Sequence, residues 1–239
     1  MGGYYKEKLA AETLRRCYEV APPRVQRYLA AEIEFVREKL DALAATSVLE
    51  LGCGYGRFLQ ELAAAERRLV GIDTSRSSLK LGRRLLGSGG ASGAAGEAQP
   101  CASPCDLIAM DAGRLGFSDR CFDAVVCIQN GISALKVPPE ILLREAVRVT
   151  RDGGLAFFSS YAERFWSDRL EWFRLQAQHG LLGDIDEEAT GDGDIVCKDG
   201  FRATTFTPEG FAELLRRLHL VGDVMEVDGS SVFCTIRVV

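Results

Sequence analysis

Histidine is scarce in this sequence: of 239 residues, only His179 and His219. Structural zinc centres need four Cys or His ligands at recurrent spacing. The eight cysteines do not supply such a set. Cys101 and Cys105 lie close together in "CASPC", but no second pair accompanies them. No metal is expected, and Cys17, Cys53, Cys121, Cys127, Cys197 and Cys234 read as free thiols, the ordinary state in the cytosol. Basic runs are missing as well. "ERR" at 66–68 and "LRRL" at 215–218 are short, and the formal net charge is −5. Nucleic-acid binders generally show a basic patch, so a nucleic-acid partner is not expected. No apolar stretch reaches the roughly 18–20 residues of a membrane span. The opening segment "MGGYYKEKLAAETLRRCYEV" lacks the apolar core of a signal peptide. No membrane contact and a cytoplasmic location are expected.

What is present is an ordinary globular composition, 47% hydrophobic and 26% charged. The length suits one sizeable core. Residues 5–43 predict two helices separated by Pro22 and Pro23. In the second, Val25, Leu29, Ile33, Val36, Leu40 and Leu43 recur at helical spacing. From 47 to 161, apolar strand-like runs ("SVLEL", "RLVGID", "DLIAMD", "CFDAVVCIQN", "LAFFSSY") alternate with helical patterns. "RDGG" reads as the turn before the last of these, and Ser75 as an N-cap. That alternation is the signature of a parallel sheet covered by helices, an α/β fold. The stretch 88–103, rich in Gly, Ala and Ser, reads as a mobile surface loop. Residues 164–178 and 207–218 predict helices, the latter capped by Thr207 with Pro208 at its first turn. "LVGDVMEV" and "SVFCTIRVV", joined only by "DGS", predict a closing antiparallel hairpin opened by His219.

"VLELGCGYGRF" (48–58) places Gly52, Gly54 and Gly56 at a strand-to-helix junction. In open α/β sheets ligands sit at the carboxyl ends of the strands. Glycines let such a loop turn sharply and bring backbone N–H groups against a ligand. A dinucleotide fingerprint wants G-x-G-x-x-G/A. Here the spacing is G-x-G-x-G followed by the bulky Arg57, which argues against a pyrophosphate site. Asp73 ends the second strand, where a carboxylate accepts from a ribose diol. Asp111 ends the third and "IQN" the fourth. Polar groups at consecutive strand ends describe a nucleoside lying across the sheet edge.

With "GIDTS", "MDAGRLGFSDRCFDAVVC" and "VTRDGG", this pattern resembles the class I S-adenosylmethionine-dependent methyltransferases, over roughly 47–161 and the closing hairpin. The resemblance implies a Rossmann-like, doubly wound seven-stranded sheet, mostly parallel with an antiparallel last strand. It implies S-adenosyl-L-methionine as cofactor. Glu50 through Gly56, including Gly52, Cys53 and Gly54, would cradle the methionine part. Asp73 would hold the ribose hydroxyls with Thr74 and Ser75 beside it. Asp111 and Ala112 would flank the adenine, and Ile128, Gln129 and Asn130 would line the floor. Methyl transfer from a sulfonium depends mainly on positioning, so no catalytic triad is required.

Residues 1–239 read as one methyltransferase domain: an N-terminal helical cap (1–45), a cofactor-binding core (46–160), a lid insertion (161–206) and a closing helix and hairpin (207–239). The acceptor expected is a small molecule. An RNA or protein acceptor, or a cofactor-binding protein without transfer activity, stays open at this point. Tyr5, Tyr18 and His179 are the candidates for a catalytic role, and Trp166 and Trp172 read as core packing. The cap and the lid together are expected to wall the acceptor pocket.

Overall fold

A computed structural model describes residues 4–63, 67–87 and 105–239. Cys101 and the stretch 88–103 read as a mobile loop lie outside the described residues. The N-terminal region forms three helices rather than two: α1 (Tyr4–Glu7), α2 (Ala11–Glu19) and α3 (Pro23–Ala42). Pro23 occupies the first turn of α3, where its missing N–H is harmless. Strand β1 (Ser47–Leu51), helix α4 (Arg57–Leu62), strand β2 (Arg68–Asp73) and helix α5 (Arg76–Gly87) follow. Ser75 caps α5, as side-chain oxygens at this position do. Its Oγ accepts from the Ser78 N–H at 3.3 Å. Next come β3 (Cys105–Ala109), β4 (Phe122–Cys127), α6 (Gly131–Ala134), α7 (Pro139–Val149) and β5 (Thr150–Tyr161). A 3₁₀ turn at Glu163–Phe165 leads into α8 (Trp166–Gln178), then the short strands β6 (Ile195–Val196) and β7 (Arg202–Ala203). The chain closes with α9 (Pro208–Leu218), β8 (Val221–Val227) and β9 (Ser231–Arg237).

Two local expectations change. "RDGG" is not a turn ahead of β5. It is an irregularity within it, since Phe122 pairs Thr150 while Ala124 pairs Leu155. Extra residues on one strand of a pair bend it locally, and Gly153 absorbs the extra length with a φ of +77°. His219 does not open a strand. It is the C-cap of α9, at φ +54°, the left-handed conformation in which many helices end.

The main sheet has the order β3-β2-β1-β4-β5-β9-β8. The pairs β1–β2, β1–β4, β2–β3 and β4–β5 are parallel, and β9 runs antiparallel to both its neighbours. The chain steps outward from β1 to β3, then restarts on the other side with β4. This reversal puts the carboxyl ends of β1 and β4 side by side, the place where α/β sheets open a crevice.

Alternation across the pleat assigns each side chain to a face. Leu49, Val125 and Phe158 pack with Leu142, Ala146 and Phe211 of α7 and α9. Val48, Ala124 and Phe157 pack on the opposite face with Val36 of α3, Phe58 of α4 and Leu79 of α5. Each fully buried Leu, Val or Phe side chain stabilises by about 1.5–3 kcal/mol. A third cluster, with Cys17, Tyr28, Trp172, Phe173, Cys197 and Phe201, joins α2 and α3 to α8 and the segment after it. No helix among the described residues is long and apolar enough to cross a membrane.

Candidate active site

The glycine loop after β1 is tied down before any ligand enters. Gly52 N and Cys53 N donate to the Ile72 carbonyl at 2.8 and 2.9 Å. Gly54 N donates to Asp73 Oδ2 at 2.9 Å, and Gly56 N to the Cys53 carbonyl at 2.7 Å. The sequence reading expected these N–H groups to face a ligand; the structure uses all four internally. What the glycines provide is backbone shape, through conformations that a Cβ disfavours. Gly52, Gly54 and Gly56 all have left-handed φ, at +73°, +54° and +78°. A Cβ on Gly52 would lie 2.7 Å from Leu135 Cδ2. Gly82 on α5 matters similarly, because a Cβ there would lie 2.7 Å from the Tyr55 carbonyl oxygen.

The loop borders a cavity of about 650 Å³ over the carboxyl edge of the sheet. Glu50, Gly52, Cys53, Gly54, Asp73 and Thr74 line it from β1 and β2. Asp111, Ala112, Ile128 and Gln129 line it from the ends of β3 and β4, and Tyr18 from α2. Four of the expected residues do not reach its wall. Gly56 is the left-handed N-cap of α4, and Ser75 is the cap of α5. The Asn130 side chain is occupied elsewhere, donating to the Thr204 carbonyl at 2.9 Å and accepting from Ser160 Oγ at 2.8 Å. His179 is an exposed C-cap of α8, outside the cavity lining. Tyr5 lies within α1.

One end of the cavity is charged and incompletely satisfied. Glu50 is 7% exposed, and its Oε2 has no hydrogen-bond partner among the described residues. Burial disfavours the charged form of a carboxyl. It pushes Glu50 up to about 8, against the pull of Arg57 and with a further push from Asp73. Buried Nε and Nη2 of Arg57 are also without partners, while its guanidinium lies 4.9 Å from the centroid of the Tyr18 ring. Tyr18 donates to Gln129 Oε1 at 3.1 Å. Asp73 accepts from Gly54 N at 2.9 Å and from Ser75 N at 2.7 Å. A carboxylate offers about four lone-pair sites, so each oxygen keeps capacity for another donor. Burial raises the Asp73 carboxyl above the usual range, partly offset by these N–H donors.

Much of the remaining lining is aromatic. Tyr28, Tyr161, Trp172, Phe173 and Phe201 face the cavity, with Gln176 Nε2 buried and unpaired among them. Trp172 Nε1 donates to the Cys17 carbonyl at 2.8 Å, and Tyr4 donates to Asp199 Oδ2 at 2.6 Å. Hydrogen bonds thus tie the cap to the segment 161–206. Arg57 and Gln176 were not singled out by sequence reasoning as ligand contacts. Arg57 carried a signal, since a long cation immediately after the third glycine opens a helix beside the cavity. Gln176 carried none.

Residues 48–154 match the family described as the methyltransferase domain. Over that segment, a little under half of its length, this chain is similar to the methyltransferases, as the motifs in its sequence imply. A sterol 4-C-methyltransferase from Caenorhabditis elegans is 25% identical over 121 residues, which are 50% of this chain and 32% of that protein. The match thus spans about a third of that relative's length. The fold is shared with a Pyrococcus horikoshii protein at a TM-score of 0.64 and 20% identity, covering 99% of this chain and 98% of that one. It is shared with a methyltransferase from Methanosarcina mazei at a TM-score of 0.58 and 21% identity, covering 81% of this chain and 92% of that one.

The cavity has groups that fit S-adenosylmethionine, the cofactor that the resemblance implies. A buried carboxylate oxygen and two buried guanidinium nitrogens, all without partners, complement the α-ammonium and α-carboxylate of a methionine. Lone pairs remain on Asp73 for a ribose diol. Asp111 accepts from Gly113 N through Oδ1 at 2.7 Å and stands at the strand end beyond, where an adenine amino group would donate.

Proposed function

We propose that this chain is an S-adenosylmethionine-dependent methyltransferase that acts on a small-molecule acceptor held beneath the lid. The observation that carries this reading is a cavity of about 650 Å³ lined both by the strand-end carboxylates and by the aromatic side chains of the lid. Small-molecule pockets fall in the range of about 300–1,000 Å³. Residues of α1, α2, α8 and β7 roof this one, so its described walls enclose a ligand rather than present a flat face to a folded macromolecule. The net charge of −5 agrees with an acceptor other than a nucleic acid, whose phosphates call for cations.

S-adenosylmethionine supplies an electrophilic methyl carbon on a sulfonium. The chain's own contribution is positional. Asp73 and Glu50 hold the two polar ends of the cofactor, and the glycine loop sets the distance between them. The lid side chains exclude water and fix the acceptor, which converts an encounter into an oriented pair. Incubating the protein with methyl-labelled cofactor and a cell extract, then separating products by size, tests the reading. Label is expected in the low-mass fraction. Label appearing chiefly in protein or RNA refutes it.

A further inference from the structure

The charges around the cavity are segregated, and this narrows the chemistry of the acceptor. The carboxylates that line it among the described residues, Glu50, Asp73 and Asp111, all stand at or just past strand ends, on the cofactor side. The other charged groups in its described lining are cations: Arg57 from α4 near Glu50 and, from the cap, the lid and the segment after α6, Lys6, Arg202 and Lys136. Arg202 is paired with Asp194 through Nε at 3.1 Å. Lys136 donates to the Arg202 carbonyl at 3.4 Å, and neither it nor Lys6 has a carboxylate partner among the described residues. Burial and the adjacent Arg202 charge push the Lys136 ammonium below the usual lysine range, with Asp194 pulling the other way. Arg202 is balanced by Asp194, so the unbalanced positive charge that the described cap, lid and post-α6 segment bring to the lining is that of Lys136 and Lys6.

The aromatic walls do not reverse that sign. An aromatic cage can hold a cation by its ring faces. Here guanidinium groups already engage the rings: Arg169 lies 4.2 Å from the Tyr161 centroid and 5.7 Å from that of Phe173, and Arg57 lies 4.9 Å from that of Tyr18. A second cation against these rings would face like charge from those guanidinium groups. A flat apolar molecule gains dispersion and burial from the same rings at no such cost. Gln176 Nε2, 2% exposed as a residue and unpaired, offers a hydrogen to an acceptor oxygen among them.

We infer that the methyl acceptor is a planar, apolar acid, its rings against the lid aromatics and its carboxylate toward Lys136 and Lys6. This rests on the reading of the cavity as a small-molecule acceptor site. The test uses three probes of one shape and different charge: 2-naphthoate, 2-naphthamide and 2-naphthylmethylammonium. Their affinities are measured by calorimetry on protein saturated with S-adenosylhomocysteine. The acid is expected to bind at least tenfold tighter than the amide, and the ammonium at least tenfold weaker than the amide. Lys136→Met is expected to remove most of the acid's advantage while leaving the amide within about twofold. Gln176→Leu is expected to weaken acid and amide alike. An ammonium that binds as well as the acid, no binding of any probe at millimolar concentration, or an undiminished preference in Lys136→Met overturns the inference. S-adenosylhomocysteine saturation separates this from failure of the broader reading. If the product binds and the probes fail, only the acceptor chemistry is wrong. If the probes bind while label from the cofactor still goes to macromolecules, it is the small-molecule reading that falls.

Discussion

Both oxygens of Asp73 accept backbone hydrogens, one from Gly54 and one from Ser75, and each retains a further lone pair toward the cavity. The same carboxylate therefore shapes the glycine loop and presents acceptors to a diol. Its removal should act on both. Asp73→Ala is expected to weaken S-adenosylhomocysteine binding by about 1.5–3 kcal/mol, the usual worth of hydrogen bonds to a charged group. Asp73→Asn, which keeps one acceptor oxygen, should fall between. Calorimetry giving wild-type affinity for the alanine variant would remove Asp73 from the site. At this scale the sequence was informative where a residue's place follows from its strand. Asp73 and Asp111 are legible because strand ends are legible. It was less informative where a role depends on what the rest of the chain has already taken. Asn130 was expected to end the fourth strand; β4 stops at Cys127, Asn130 stands at the N-cap of α6, and its amide is committed to Thr204 and Ser160, which come from distant segments.

Among the elements, those of the core are readable because their strands are buried on both faces and their helices on one. Beyond α8 the lid has no such periodicity. Arg169, only 1% exposed, sits at its centre and donates to the Gly193 and Ala203 carbonyls and to Thr205 Oγ1 at 2.7–3.0 Å. A polar, glycine-rich segment thus folds around a buried guanidinium, an arrangement without an apolar pattern to announce it. Glu32 could have been found. Val25, Tyr28, Leu29, Glu32, Ile33 and Val36 share the buried face of α3, and the i, i+3, i+4 stripe passes through the carboxylate. Cap and lid meet through Tyr4 and Lys8 at Asp199, with the Lys8 ion pair at 3.3 Å. Such partly exposed pairs stabilise by about 0–1 kcal/mol, so Asp199→Ala should lower the melting temperature by no more than about 2–4 °C in a chain of this size. The closure it secures is more sensitive. Hydrogen exchange of residues 4–19 and 195–203 is expected to rise together in this variant, and KM for the acceptor to rise several-fold. Faster exchange in one region alone would show that cap and lid move separately.

For the whole molecule, two buried carboxyls set an unusual response to pH. Burial pushes Glu32 up to about 7, although Ser231, Ser159 and the Gln129 N–H each pull it down, and burial pushes Glu50 to about 8. Both start from 4.5 in the unfolded chain. Between about 4.5 and 8 the native state therefore binds more protons than the unfolded state, and stability falls as pH rises through that window. Other groups act at the acid side. Burial raises Asp123, but the N–H and O–H groups of Thr46 and Ser47 outweigh it, and Arg148 holds Glu145 down. Their stabilisation is present above the ordinary carboxylate range and is lost on acidification. The cofactor-free protein should thus be most stable near about pH 5, falling on both sides. A cofactor ammonium beside Glu50 favours its ionised form, so binding releases a proton and tightens as pH rises toward about 8. The gain in melting temperature from a fixed, saturating concentration of S-adenosylhomocysteine should accordingly widen from about pH 6 to about pH 8. Glu50→Gln, which cannot release that proton, should flatten the trend while Glu32 continues to lower the stability of both forms. A gain that stays constant or narrows with pH in the unaltered protein would mean that Glu50 does not meet the ammonium.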